Sequence, residues 1–341
     1  MLFRSQIHLA LKDCPEIEIV GSAANGKIAL EKMLTQEIDV CTLDIEMPVL
    51  DGLATLKEMR VQGLRTRAIM FSSQNRSGAQ KTMEAMRIGA VDFIAKPLPD
   101  DALITPSEKI KEALLPKILS IFGVKSILNP IQPIFHHKII WETFNPEVLV
   151  IASSTGGPQA LENFFQNIRE PLPFPVLITQ HMPPVFTASL AERIGVITGK
   201  VSREAVHGEV LKPNQIYIAP GNFHMKIVGA KNAPIIQLDQ GDQRNYVRPC
   251  ADYLFETAAK IFGRHTLGVV LTGMGRDGAD GATAIKNAQG AVMIQSEESC
   301  VVFGMPGAVF ESGHFDHIGT PQELATKTMK LSNIRRAGHV A

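Results

Sequence analysis

The run Val148-Leu149-Val150-Ile151-Ala152-Ser153-Ser154-Thr155-Gly156-Gly157-Pro158 reads as a buried strand that passes into a small-residue turn and opens a helix near Pro158. A hydroxyl in that turn sits at the carboxyl end of a strand and beside the free N–H groups of a helix start. Such a place suits a nucleophile whose reaction passes through an oxyanion. Outward from this run, residues 175–180 form a second strand ending in Gln180-His181-Met182-Pro183. A helix near 185–194 follows, then a strand at 214–219 leading into Ala219-Pro220-Gly221. A hairpin over 225–238, a helix at 250–262, a strand at 266–272 and a helix from about 279 complete the series. This alternation predicts a doubly wound parallel α/β sheet, with its chemistry at the strand carboxyl ends.

Three residues with complementary chemistry follow strands there: Ser154, His181 and Asp277, the last within Leu271-Thr272-Gly273-Met274-Gly275-Arg276-Asp277-Gly278. A serine needs a base to become a nucleophile, and a histidine base needs a carboxylate to fix its tautomer and stabilise its cation. Spacing alone is weak support in a chain with 10 histidines. Ser153, Ser154 or Thr155 could simply cap the next helix, Asp277 could cap its own, and His207 and His224 rival His181 as base. Gly273-Met274-Gly275-Arg276-Asp277-Gly278 also matches the G-x-G-x-x-G of a dinucleotide site, with Glu297 and Glu298 about 20 residues on. Against that reading, the motif comes late in its domain and Asp277 would set a carboxylate against the pyrophosphate.

The first half alternates as well. Residues 17–20 and 39–44 read as strands, as do Ala68–Phe71 and Val91–Ile94; helices are expected over 26–34, behind the 39–44 strand where Leu53, Leu56 and Met59 mark one, and over 79–88. Asp44, Ser72 and Lys96 stand at strand ends in an order that resembles the receiver domain of response regulators, a flavodoxin-like parallel sheet. The resemblance implies that Asp44 is the phosphoacceptor, Ser72 the hydroxyl that senses phosphate, Lys96 its cationic partner and Phe93 the aromatic switch residue. Leu2, Phe3, Ile7, Ala10 and Leu11 read as the first helix, already under way at Met1, so the receiver's first strand and its acidic residues are expected to be missing. Mg²⁺ for phosphorylation would then have only Asp44 and the backbone of the loop at Glu46 as ligands. The missing strand is central in the order 2-1-3-4-5, and its loss would leave two unsatisfied sheet edges.

A last receiver helix at about 106–121 closes a domain spanning 1–121, and residues 122–145 read as a linker holding His136-His137 and Trp141, the only tryptophan. The His-His pair lacks a third metal ligand nearby, and Trp141 is expected to anchor the linker on a domain. With 34 basic and 34 acidic side chains, no broad footprint for nucleic acid is expected. No apolar run approaches the roughly 20 residues of a membrane span, and no signal peptide precedes the first helix. Four cysteines without close pairing point to a reducing cytoplasm.

Ala152-Ser153-Ser154-Thr155-Gly156-Gly157, Gln180-His181-Met182-Pro183, Ile218-Ala219-Pro220-Gly221 and Leu271 to Gly278, in that order, resemble the catalytic domain of the chemotaxis protein-glutamate methylesterase family, CheB, over residues 146–335. The resemblance implies Ser154 as nucleophile, His181 as general base and Asp277 as its orienter, with the backbone N–H groups of Thr155 and Met274 as oxyanion candidates. It implies hydrolysis of γ-glutamyl methyl esters on methyl-accepting chemotaxis receptors, receptor glutamine deamidation, and no metal or cofactor for the hydrolysis. The receiver would cover the site until phosphorylated by the chemotaxis histidine kinase. Two other readings compete: a catalytically silent receptor-docking module with a defective receiver, and a small-molecule serine esterase.

Overall fold

The computed structural model describes residues 2–97, 105–123 and 139–338. The chain divides into two compact units, residues 1–125 and 126–341, with the break inside the expected linker. His136-His137 lies outside the described residues.

The first unit runs α1 (Leu2–Leu11), α2 (Gly26–Thr35), β1 (Val40–Asp44), α3 (Gly52–Val61), β2 (Arg67–Ser72), α4 (Arg76–Ile88), β3 (Asp92–Ala95) and α5 (Pro106–Phe122). Asn25, Asp51, Asn75 and Thr105 begin α2, α3, α4 and α5, each accepting the N–H three residues on. The strands pair in parallel in the order β1-β2-β3. The expected strand at residues 17–20 is absent: Ile17-Glu18-Ile19-Val20 joins no ladder. A strand exists only by its neighbours' hydrogen bonds, and among the described residues β1 pairs with β2 alone. Between β1 and the 17–20 segment lies a cleft of about 220 Å³, lined in part by Ile7, Leu11, Ile17, Ile19, Met33 and Val40. Ile17 and Ile19 are half-buried at this cleft, while Glu18 and Val20, which also line it, are exposed.

The second unit runs β4 (Val148–Ser153), α6 (Gly157–Phe165), β5 (Val176–Gln180), α7 (Phe186–Thr198), β6 (Val201–Glu204), β7 (Gln215–Ile218), β8 (His224–Ala230), β9 (Ala233–Asp239), α8 (Ala251–Phe262), β10 (Thr266–Val270), α9 (Ala279–Asn287), β11 (Ala291–Gln295), α10 (Met305–Ser312), β12 (His317–Gly319) and α11 (Pro321–Gly338). Seven strands form one parallel sheet in the order β12-β11-β10-β4-β5-β7-β6, and β8 and β9 make an antiparallel hairpin. Val148, Val150 and Ala152 pack into a core with Leu254, Phe255 and Ala258 of α8 and with Met225, Ile227 and Ile236 of the hairpin. Leu149 and Ile151, which alternate with them, are equally buried, so both sheet faces are covered. The chain leaves β4 toward β5 on one side and returns to β10 on the other. The carboxyl end of β4 is therefore a topological switch point, where open α/β sheets place their ligands.

Trp141 meets Phe144 and His317 edge-on, and the Lys327 ammonium lies 4.1 Å from its ring centroid. All four belong to the second unit, which fits the anchoring role expected of Trp141. At the far side of the sheet, buried Lys286 and Asp316 meet at 2.5 Å, and Asp316 also accepts the Val292 N–H of β11. Removing the cation strands a buried charge. Lys286→Met should lower the unfolding free energy of the second unit by about 3 kcal/mol, measured by urea denaturation, whereas the double variant with Asp316→Leu should recover most of it.

Candidate active site

Strands β4 and β5 pair in register with Ser153 opposite Gln180, so Ser154 and His181 step off neighbouring strands side by side. The His181 N–H donates to Ser153 O at 3.2 Å, and the Ser154 N–H donates to Thr272 O at 3.0 Å. Gln180 locks the turn: its Oε1 accepts from Ser153 Oγ at 2.6 Å and its Nε2 donates to Ser154 O at 3.0 Å. Neither serine caps α6, whose N-cap is Gly156 with no side-chain cap bond. Gly156 holds φ 76°, and a Cβ there would stand 2.6 Å from Val301 Cγ2, so the turn needs glycine. Ser154 itself stays partly exposed.

The segment after β10 closes the site from the other side. A Cβ on Gly273 would lie 2.3 Å from Met305 Sδ and 2.8 Å from Ser154 Cβ, so glycine at this position permits the close approach. The spacing that suggested a dinucleotide loop is used here to pack backbone against the Ser154 turn. The Gly273 carbonyl accepts from Gly304 and Met305. In a planar trans peptide this turns the Met274 N–H away from the start of α10. Met274 is 38% exposed, and Thr155 is buried.

Asp277 does not cap its own helix; α9 begins at Gly278 without a side-chain cap. Its buried carboxylate accepts four hydrogen bonds: His181 Nε2 at 2.7 Å, Ala251 N at 2.6 Å, Asp252 N at 3.0 Å and the Cys250 thiol at 2.9 Å. Burial raises the Asp277 carboxyl, but the hydrogen bond and charge of His181, the Ala251 N–H and the Cys250 thiol outweigh it. The group is held well below the usual carboxylate range. Burial, reinforced by the Asp277 charge, pushes the Cys250 thiol up, so it stays protonated as a donor. With Nε2 committed to Asp277, Nδ1 is the ring nitrogen of His181 left for another partner.

Behind Asp277 stands a second buried carboxylate. Asp252 accepts from Gly278 N and Gly281 N at 2.9 and 2.8 Å and from Asn245 Nδ2 at 2.8 Å, with Arg244 Nε 3.7 Å away. Burial and the Asp277 charge push Asp252 up to about 7, against the Gly281 N–H and Arg244. The rival histidines are occupied elsewhere. His224 is buried between Asp242 O and the Cys250 N–H, and its pKa is lowered by burial. His207 Nδ1 sits at the backbone of Leu238. Cys250, Asp252 and Gln180 were not singled out by the sequence. The acid at the second position of a helix after Pro249 and the glutamine preceding His181 were the available signals.

In the first unit Lys96 Nζ binds both oxygens of Asp44, at 2.7 and 2.6 Å. Ser72 is buried at the adjoining strand end and Phe93 is buried in β3. The ring of Phe3 stacks edge-on against Phe71, and Lys96 Nζ lies 5.4 Å from its centroid. The carboxylate of Glu46 pairs with Lys81 at 3.4 Å, while its N–H donates to Asp44 Oδ1. One carboxylate already held by lysine, beside an aromatic ring, does not fit a cation that takes several hard oxygen ligands. Among the described residues, the only cluster of three potential metal ligands is Cys250, Asp252 and Asp277, none of which belongs to the first unit.

The family described as CheB methylesterase matches residues 149–328, and that described as response regulator receiver domain matches residues 1–107. The chain is 39% identical over 334 residues to the protein-glutamate methylesterase/protein-glutamine glutaminase of Thermotoga maritima, covering 95% of each. It is 41% identical over 300 residues to protein-glutamate methylesterase/protein-glutamine glutaminase 2 of Caulobacter vibrioides, covering 86% of each. The crystal structure of the Thermotoga maritima CheB methylesterase catalytic domain superposes with a TM-score of 0.53 at 40% identity, over 55% of this chain and 99% of that one. No described helix is long and apolar enough to cross a membrane.

The two carboxylates give stability opposite pH dependences. Asp252, raised in the folded state above an unfolded value of about 3.9, stabilises fully below that value, and its contribution is lost as pH rises through about 7. Asp277, depressed, stabilises above about 3.9 and loses its contribution as pH falls below that value. The urea midpoint of the second unit should therefore fall between about pH 4 and about pH 7, and Asp252→Asn should flatten that fall.

Proposed function

Because the chain belongs to the CheB methylesterase family, we propose that Ser154, His181 and Asp277 hydrolyse γ-glutamyl methyl esters on methyl-accepting chemotaxis receptors, releasing methanol. Protein-glutamate methylesterase and protein-glutamine glutaminase are the family's paired activities, and the same acyl chemistry serves both. The observation that carries the assignment is the His181 Nε2–Asp277 bond at 2.7 Å, with Ser154 in the turn just past the neighbouring in-register strand at the switch point.

Ser154 Oγ attacks the ester carbonyl as His181 Nδ1 takes its proton, and Asp277 stabilises the imidazolium through Nε2–H. The N–H groups of Thr155 and Met274 receive the oxyanion of the tetrahedral intermediate. Nδ1–H then protonates the departing methoxide, leaving a glutamyl ester on Ser154. Water, deprotonated by the same nitrogen, clears that ester and restores the carboxylate. These residues perform every proton transfer of the hydrolysis. For a glutamine substrate the leaving group is ammonia.

In the receiver, Asp44 is the proposed phosphoacceptor, with Lys96 as counter-ion, Ser72 as phosphate sensor and Phe93 as the residue that reports the change. The chemotaxis histidine kinase is the proposed phosphodonor, and phosphorylation would open access to Ser154. The residues around Asp44 do not fit Mg²⁺, so no step is assigned to the metal. Four free thiols suit a cytoplasmic setting.

Methanol release from methylated receptor membranes tests the assignment. Ser154→Ala should lower turnover by at least about 10³-fold, and Asp277→Asn, which disturbs the tautomer of His181, by a comparable factor. Release insensitive to Ser154→Ala would overturn it. Absence of turnover in both the full chain and residues 146–341 would favour the docking module, and faster cleavage of simple esters than of receptor would favour a small-molecule esterase.

A further inference from the structure

Asp277 and Asp252 cap each other's helices. Asp277 precedes α9 yet accepts the first two N–H groups of α8, from Ala251 and Asp252. Asp252, the second residue of α8, accepts N–H groups from the start of α9, those of Gly278 and Gly281. Two helix N-termini converge on two neighbouring carboxylates, and each carboxylate satisfies donors of the opposite helix. Neither α8 nor α9 has a side-chain cap bond from its own N-cap residue, so the exchange supplies what the local sequence lacks. Cys250 adds a donor directly to Asp277, and its own N–H is held by His224 Nδ1.

We propose that Asp252 and Cys250 are positioning residues of the reaction: through the exchanged caps and the thiol bond they fix the carboxylate that His181 reads and set the basicity of that histidine. The inference rests on the functional reading above for its kinetic readout and on geometry alone for the rest. Neither residue touches the proposed path of the substrate; each acts through Asp277.

The two residues pull in opposite directions. Asp252 places a second carboxylate beside the His181–Asp277 pair, held through Gly278 and Gly281 N–H groups, and as it ionises it favours the imidazolium. The Cys250 thiol drains charge from Asp277 and disfavours it. Other charged or titratable groups around the pair are Arg244 and Glu256, joined at 2.7 Å, Asp280, bound by Arg244 and Arg276, and His224 behind Cys250. None of these is changed by the variants below.

The test compares Asp252→Asn, Asp252→Ala, Cys250→Ala and Cys250→Ser in the full chain by two measurements. The first is the pH profile of kcat/KM for methanol release. The second is titration of the His181 ring by NMR with labelled histidine, assigned by its loss in His181→Gln, which needs no turnover. Asp252→Asn keeps an acceptor for both glycine N–H groups but removes the charge that Asp252 takes on as it ionises, so the acid limb and the ring titration should move down, by up to about half a pH unit. Cys250→Ala should move both up by a similar amount, and Cys250→Ser, which restores a donor, should bring them back. Asp252→Ala, which abandons α9, should lower kcat on the order of tenfold or more with KM unchanged. A His181 titration unmoved in both Asp252→Asn and Cys250→Ala, or moved in the same direction in both, overturns the proposal whatever the kinetics. Methanol release indifferent to Ser154→Ala would instead sink the functional reading and leave the NMR arm to decide this one.

Discussion

The carboxylate of Asp277 joins three parts of the second unit that the chain order keeps far apart. It holds the imidazole that follows β5, the first turn of α8 and, through Asp252, the first turn of α9. A buried anion is tolerable only when hydrogen bonds replace the water it has lost, and four donors do so here. The arrangement joins stability to chemistry: the donors that make burial acceptable also fix the direction in which the carboxylate meets His181. Its neighbour Asp252 faces a like charge with fewer strong donors, and the electrostatic cost of the pair falls on it.

Around this anion the parallel sheet does the placing. Central strands β10, β4 and β5 are wholly buried, so their ends are rigid platforms. The Ser154 turn is tied to the β10 side through Thr272 O and to β5 through Gln180. Val185, a β-branched residue at φ 75° just before α7, is strained backbone near His181.

Much of this was legible in the chain. The strands of the second unit and the parallel architecture follow from apolar runs that end in polar turns, and those runs place Ser154, His181 and Asp277 after strands; the choice of these three over rivals such as His207 and His224 came from the resemblance to the CheB family. The partnership of His181 with Asp277 was implied by the resemblance, but its geometry was not legible, because 96 residues separate the two. Asp252 and Cys250 were illegible for the same reason. An acid in a first helical turn looks like an ordinary dipole partner, and only the fold reveals that it serves a different helix. The two edge strands of the sheet, Val201–Glu204 and His317–Gly319, carry too few residues for periodicity to register. Ile17–Val20 erred the other way: its alternation was real, but a ladder needs a neighbour that local sequence cannot supply.

The orientation of the His181 ring carries a wider meaning. An imidazole relays a proton between two partners, and either nitrogen can face either one, provided the tautomer follows. Here the acid holds Nε2, whereas many serine hydrolases bind the acid through Nδ1. Handedness of the relay is therefore a consequence of which strands bring the three groups together, and the chemistry is indifferent to it.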